Sequence, residues 1–405
     1  MHLLLANQWY PPESGWGGVA TYNYVMAHTL AEMGHRVTVV AAGAQSSLQR
    51  TNDKQVNVLR LPMRQISPWK RAPLAGRHVR ALFQLEYSWR LARVLRELYA
   101  RDAFDAIEFA EINGEGYWFA RNAPVPVIVR CHTPTFLLQT FYRTLPFNPR
   151  LTNHLESTLI RRADALTAPS QDLAARITQT LSPKPPIQVV PNPVDLDKLA
   201  FSNSDTREAA GPVRALFVGR FEYAKGIDVL MEAIPQVVRA FPTLEFVLVG
   251  YDRKTENGES NLARLRERLT AENVLAHVRI IEGAAQNELE QEYARADVCL
   301  VPSVVYESFS YTCAQAMAAG RAVIASRIGG IPETVRDGVD GIIVPVGDAA
   351  ALANAIVSLA NDRALILKMG RAARERACEL FERHRVAEKM VAVYERARHQ
   401  ETSAA

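Results

Sequence analysis

What most constrains the fold of this chain is a repeated alternation of short, nearly continuous apolar runs with stretches of helical periodicity. Runs such as RVTVVAA at 36–42, EFVLVG at 245–250 and VCLVP at 298–302 hold few polar residues. A strand reads this way when helices cover both faces of a parallel sheet, so that neither side chain direction meets water. The alternation therefore predicts an α/β chain with parallel sheets.

The alternation comes in two series. The first holds strands at His2–Asn7, Arg36–Ala42, around Val58, and at Ala106–Phe109, Val125–Arg130, Ala165–Ala168 and Ile187–Val190. A helix at Val19–Met33 is closed by Gly34, and a long one at Leu74–Ala100 carries Arg77, Arg80, Arg90, Arg93 and Arg96. The polar stretch Ser202–Pro212 reads as a linker. A second series then runs from Ala215–Gly219 and the helix Gly226–Phe241 through VCLVP, AVIAS and GIIVP, and helices from Ala349 to about Arg398 follow. At 405 residues the chain exceeds one ordinary core. The expected fold class is two Rossmann-like, doubly wound domains, residues 1–200 and 201–380.

Hydrophobic residues make up 48% and charged residues 22%, which suits a globular chain and excludes disorder. A formal charge of +4 without a basic tail points to an anionic ligand and not to nucleic acid. Cys131, Cys299, Cys313 and Cys378 have neither CxxC nor zinc spacing and read as core thiols of a reducing compartment. MHLLLANQWY lacks a basic start and reads as a first strand, not a signal peptide, and no run approaches the roughly 20 apolar residues of a membrane span. The cytoplasm is the expected location. The arginine-rich helix is either a solvated face or a contact with an anionic acceptor or the inner membrane surface.

Ligands of open parallel sheets sit beyond the carboxyl ends of the strands, which makes the loops there informative. After the first strand, Gly17 and Gly18 lead into a helix and let backbone approach a phosphate. The spacing is not GxGxxG and no acid follows the second strand, so a nicotinamide-type dinucleotide site is disfavoured. His132 follows PVIVRC directly and suits either a structural role or a hydrogen bond to a substrate hydroxyl. In the second series Arg220 and Lys225 bracket one loop, a pairing suited to a diphosphate. In PSVVYESFSYTCAQAMAAG, at 302–320, Glu307 stands just before a helix start near Ser310. That places a carboxylate beside unpaired N–H groups. No DxD-like cluster occurs in these loops, and two cations can neutralise a leaving diphosphate in place of a metal.

These residues together resemble the retaining glycosyltransferases of family 4, whose architecture is GT-B. The resemblance spans nearly the whole chain and rests on five motifs in order. They are Gly17-Gly18, His132, the PNPVD segment at 191–195, the GR…KG element with Arg220 and Lys225-Gly226, and ESFSYTCAQAMAAGRAVIASRIGGIPE from Glu307. It implies two domains facing across a cleft, with residues 381–405 as a helix crossing back to the first. It implies that Arg220 and Lys225 hold the donor diphosphate, that backbone amides of Phe309, Ser310, Tyr311 and Thr312 meet it, and that Glu307 and His132 bond the donor sugar. The implied reaction moves a sugar from a UDP-sugar, or second a GDP-sugar, to a hydroxyl of a carbohydrate or lipid-linked acceptor. Configuration is retained and neither metal nor other cofactor is required.

Two positions depart from the family pattern. Gln315 stands where the family has a second glutamate for the nucleotide ribose, and a neutral amide makes a weaker bond there. Ser310 stands where glycine is usual, which leaves less room above the diphosphate. Two other readings remain. A sugar-nucleotide epimerase would want additional carboxylates in the cleft to move a proton from carbon, and the sequence shows no such set, though Glu13, Glu111 and Glu115 lie near strand ends of the first domain; a non-catalytic sugar-nucleotide-binding protein would fit the loss of the second glutamate. Base selection is assigned to backbone near Arg279–Gly283, and acceptor choice to the arginine-rich helix and the segment 135–149.

Overall fold

The computed structural model describes residues 1–63, 73–142, 148–199, 211–255 and 257–404. The expected linker therefore lies almost wholly outside the described residues, as does part of the segment 135–149. The side chains of Arg77 and Arg80 lie outside them too. The chain divides into two compact units, residues 1–193 with 383–405 and residues 194–382.

In the first unit the strands are β1 (His2–Ala6), β2 (Arg36–Gly43), β3 (Gln49–Asp53), β4 (Val56–Pro62), β5 (Ala106–Ala110), β6 (Val127–Arg130), β7 (Ala165–Ala168) and β8 (Ile187–Val189). They form one sheet in the order β3-β4-β2-β1-β5-β6-β7-β8. Every pairing is parallel except β3 with β4. The edge strand β3, QRTND, is all polar and was not expected from the apolar pattern, since only one face of an edge hairpin needs burial. Helices α1 (Gly18–Glu32), α2 (Pro73–Arg101), α3 (Thr135–Leu138), α4 (Pro149–Arg162) and α5 (Gln171–Leu181) connect the strands.

The second unit orders β9 (Arg214–Val218), β10 (Glu245–Gly250), β11 (Val278–Glu282), β12 (Val298–Val301), β13 (Ala322–Ser326) and β14 (Gly341–Val344) as β11-β10-β9-β12-β13-β14. This is the doubly wound order with a reversal between β9 and β12; in the first unit the reversal falls between β1 and β5. Alternate residues of one strand enter different cores. Ala215 and Phe217 join Leu230, Ile234, Leu352 and Ile356, whereas Leu216 joins Cys313, Met317 and Val323. Both faces are apolar, which is why the strands read as continuous hydrophobic runs.

Helices α6 (Ile227–Ala240), α7 (Asn261–Ala271), α8 (Gln286–Arg295), α9 (Tyr311–Ala318), α10 (Ile331–Thr334), α11 (Ala349–Ala360) and α12 (Arg363–Leu380) complete the second unit. The final helix, α13 (Arg383–Ala404), packs within the first, where buried Tyr394 donates from its hydroxyl to Glu108 on β5 at 2.6 Å. Three cysteines are buried as expected; Cys378 is only half-buried. Among the described residues no single helix is long and apolar enough to cross a membrane.

Candidate functional site

In the second unit the candidate residues gather at the reversal between β9 and β12. The β9 loop carries Arg220 and Lys225 and the β12 loop carries Glu307. A hydrogen bond from Val304 N–H to Ala224 carbonyl at 3.1 Å ties the two loops together. Gly226 makes the close approach possible. It sits at φ +79°, and a Cβ there would collide with the Pro302 carbonyl. Lys225 Nζ then donates to Glu307 Oε1, which also accepts from Ser303 Oγ at 3.0 Å. Both partners of the ion pair are largely withdrawn from water.

Glu307 is held from behind as well. Gly330 N–H donates to its backbone carbonyl at 2.8 Å, and Gly329, at φ +55°, leaves that carbonyl room which a Cβ would take. Arg220 instead lies against Glu222 at 2.7 Å and is half exposed. The structure thus joins Lys225 to Glu307 directly and gives Arg220 a different carboxylate.

Helix α9 begins just beyond Glu307. Ser310 is its N-cap, with the side-chain oxygen accepting from Cys313 N–H at 3.3 Å. Its φ of −96° is one any residue adopts, so the fold itself does not call for glycine here. Phe309 turns its ring into the core against Tyr311 and Phe381, leaving only its backbone for a ligand. Thr312 donates from its hydroxyl to the carbonyl of Val218 at the end of β9. Gln315 accepts from the hydroxyl of buried Tyr293 at 3.3 Å. Burial pushes that phenol well above its ordinary pKa, so it remains a neutral donor. Gln315 therefore has its carbonyl engaged and its amide N–H groups uncommitted among the described residues. At the start of β11, Arg279 is bonded to Glu292 at 2.5 Å.

In the first unit the corresponding loop follows β1. Gly17 is the N-cap of α1 in extended backbone, and a Cβ there would meet nothing within 4 Å. No protein neighbour requires glycine at this position, which leaves open space above the helix start. The loop before it is fastened from below: buried Arg60 donates to the carbonyls of Tyr10 at 2.7 Å and Pro11 at 2.9 Å, and Gln8 N–H donates to Glu115 at 3.1 Å.

His132 lies just past β6. The carboxylate of Glu111 accepts from the backbone N–H of His132 at 2.8 and 2.9 Å and of Thr133 at 2.6 Å. Glu156 of α4 likewise accepts from Thr135 N–H at 2.7 Å, Thr135 Oγ1 at 3.0 Å and Asn113 N–H at 3.0 Å. Burial lifts Glu111 to about 8, with Glu156 nearby adding to the effect, and burial lifts Glu156 to about 7. The imidazole of His132 is 6% exposed and stands edge-on to Tyr22 at 5.4 Å. Burial, assisted by Arg130, draws its pKa down to about 3, so the ring is neutral. Its Nε2 has no hydrogen-bond partner among the described residues. A buried, neutral, unpartnered ring nitrogen is suited to one added hydrogen bond.

Sequence reasoning did not single out Ser303, Glu156 or Tyr293. Ser303 follows VCLVP directly, and its place at a strand end was a usable signal. Nothing local marks an acid inside α4 or a tyrosine inside α8 as a partner of distant loops. Glu13, the third acid raised for the epimerase reading, lies 3.6 Å from Arg60 and apart from the bonds made by Glu111 and Glu115.

Residues 17–193 match the model of the glycosyl transferase 4-like domain, and residues 212–362 that of glycosyl transferases group 1. The chain is 31% identical over 246 residues to a glycogen synthase of Mycobacterium tuberculosis, spanning 60% of this chain and 57% of that protein. It is 26% identical over 390 residues to the phosphatidyl-myo-inositol mannosyltransferase of Mycobacterium leprae, covering 94% of this chain and 93% of the relative. Sucrose-phosphate synthase from Thermosynechococcus elongatus superposes with a TM-score of 0.80 at 22% identity over the full length of both chains. Anabaena HepE, solved in complex with UDP-glucose, superposes with a TM-score of 0.73 at 19% identity, over 98% of this chain and 99% of HepE. These likenesses make the fold GT-B.

Proposed function

We propose that this chain, whose residues 17–193 match a glycosyl transferase 4-like domain and whose residues 212–362 match glycosyl transferases group 1, is a retaining glycosyltransferase. It moves a sugar from a nucleoside-diphosphate sugar, UDP-linked before GDP-linked, to a hydroxyl of a carbohydrate or lipid-linked acceptor. The observation that carries this reading is the bonded pair Lys225 and Glu307 at the strand-order reversal of the second unit.

In this reading Lys225 shifts its ammonium from Glu307 toward the diphosphate as donor binds. Arg220 adds a second cation, and the N–H groups at the start of α9 add partial positive charge. Charge that develops on the leaving phosphate is met by groups already in position, so no metal is needed. Glu307, released from Lys225 and steadied by Ser303, accepts hydrogen bonds from sugar hydroxyls. His132 offers its open Nε2 to a hydroxyl of the same class, and the open space over Gly17 admits the reacting groups. Gln315 uses its free amide edge on the ribose. The leaving phosphate oxygen takes the acceptor proton on the face it departs from, which retains the anomeric configuration.

The proposal covers both carbohydrate and lipid-linked acceptors. The decisive experiment is turnover of UDP- and GDP-sugars with a panel of acceptors in chelator, with the product linkage read by NMR. Formation of the same anomer as the donor supports the reading. An inverted product, or no transfer to any acceptor with donor bound, overturns it.

A further inference from the structure

We propose that a recess at the strand-start end of the first unit's sheet is a second small-molecule site, which takes a phosphorylated sugar. The recess encloses about 430 Å³, within the range usual for small-ligand pockets. It lies around His2 and Leu4 of β1, whereas the Gly17 loop leaves the opposite end of that strand.

The lining includes a polar strip at the edge of the sheet. Register pairs Thr38 of β2 with Asn57 of β4, and Asn57 with Asn52 of β3, so the three side chains form one row on one face. Asn57 and Asn52 are exposed, so their amides are open to a ligand. Thr38 is buried and lies 3.0 Å from His2 Nε2, and burial holds that imidazole below its usual pKa, so it bonds as a neutral group.

Charge is arranged for an anion. Arg50, two residues from Asn52 on the same strand, and Arg101 at the end of α2 both line the recess. Neither has an ion-pair or hydrogen-bond partner among the described residues, and the amides of Asn52 and Asn57 are equally uncommitted. The acid present, Asp102, is already bonded to Arg36 at 2.8 Å. Two spare guanidinium groups match the charge of a phosphate monoester, which approaches two at neutral pH. The amide and hydroxyl row supplies donors and acceptors for sugar hydroxyls, and Leu4 and Phe104 supply an apolar wall for a pyranose face.

Calorimetric titration of the full chain tests this with glucose 6-phosphate as the probe, against inorganic phosphate and glucose alone. Saturable binding of glucose 6-phosphate at least about tenfold tighter than either half is expected. Arg50→Ala, on an exposed edge strand, should weaken it about tenfold or more, as should Asn57→Asp, which adds a negative charge without added bulk. Lys225→Ala and excess UDP should leave it unchanged. Absence of binding, equal binding in Arg50→Ala and Asn57→Asp, or loss of binding in Lys225→Ala or with UDP present would each overturn the assignment.

Discussion

Lys225 Nζ donates a hydrogen bond to Glu307 Oε1, joining loops that lie 82 residues apart in the chain. The pair places a cation and an anion from two strand-end loops of the second unit in contact before any donor arrives. Each group is thereby held in a single orientation, and rearrangement needs only one bond to be exchanged for a bond to phosphate.

Removing the ammonium separates binding from neutralisation of the leaving group. Lys225→Ala is expected to lower kcat/KM for nucleotide release by about 100-fold or more, equivalent to about 2.7 kcal/mol of transition-state stabilisation. Activity in chelator near the wild-type level would show that Lys225 does not serve the diphosphate.

Gln315 has its carbonyl bonded to Tyr293, which leaves the amide N–H groups for a ligand. Replacing it by glutamate exchanges that neutral amide donor for a charged acceptor of ribose hydroxyls, and Tyr293 can still donate to one carboxylate oxygen. A several-fold fall in KM for the donor is expected for Gln315→Glu, with kcat little altered. An unchanged or raised donor KM would remove the ribose from the role assigned to this side chain.

The loop of His132 is fastened by two buried carboxyls, and this makes stability depend on pH. Glu111 and Glu156 are raised to about 8 and about 7, so between roughly pH 6.5 and 8 the folded protein holds protons that the unfolded chain has released. Stability therefore falls as pH rises through this window. His132, drawn down to about 3, has the opposite dependence, but it acts below about pH 6.5, where the unfolded ring gains its proton. Thermal unfolding should show Tm declining from pH 6.5 to 8, and Glu111→Gln should flatten that decline. An equally steep slope in the variant would assign it to other groups.

Gly226 is required twice, by its positive φ and by its approach to the Pro302 carbonyl. Gly226→Ala is expected to cost about 1–3 kcal/mol of stability through backbone strain. It should also pull Lys225 away from Glu307, so nucleotide release should fall by more than the loss of folded protein accounts for. Differential scanning calorimetry beside activity per folded molecule distinguishes the two effects. Full specific activity in the folded fraction would mean that Lys225 reaches its place without this glycine.

Much of the fold could be read from residues near one another in the chain. Burial on both faces leaves a local mark, so β2, β10 and β12 appear as apolar runs, and Gly34 and Gly226 mark helix boundaries through backbone freedom that other residues lack. The edge strand β3 escaped because a strand with one covered face and polar side chains leaves no such mark. The loop residues Gly17, His132, Arg220, Lys225 and Glu307 stood out by lying at strand ends, where ligands of parallel sheets bind.

Chain order determined that this protein would form two parallel-sheet domains and which loops would leave the carboxyl ends of their strands, because hydrophobic periodicity and helix-stop signals act over a few residues. The tertiary structure alone decided which of those loops meet. Strand order reverses between β9 and β12, bringing Lys225 to Glu307 while Arg220 turns to Glu222. The same long-range pairing sets Glu156 beneath the His132 loop, Tyr293 against Gln315 and a row of polar side chains across β2, β4 and β3. Contacts between residues far apart depend on the order in which strands pack, and no local pattern of side chains records that order.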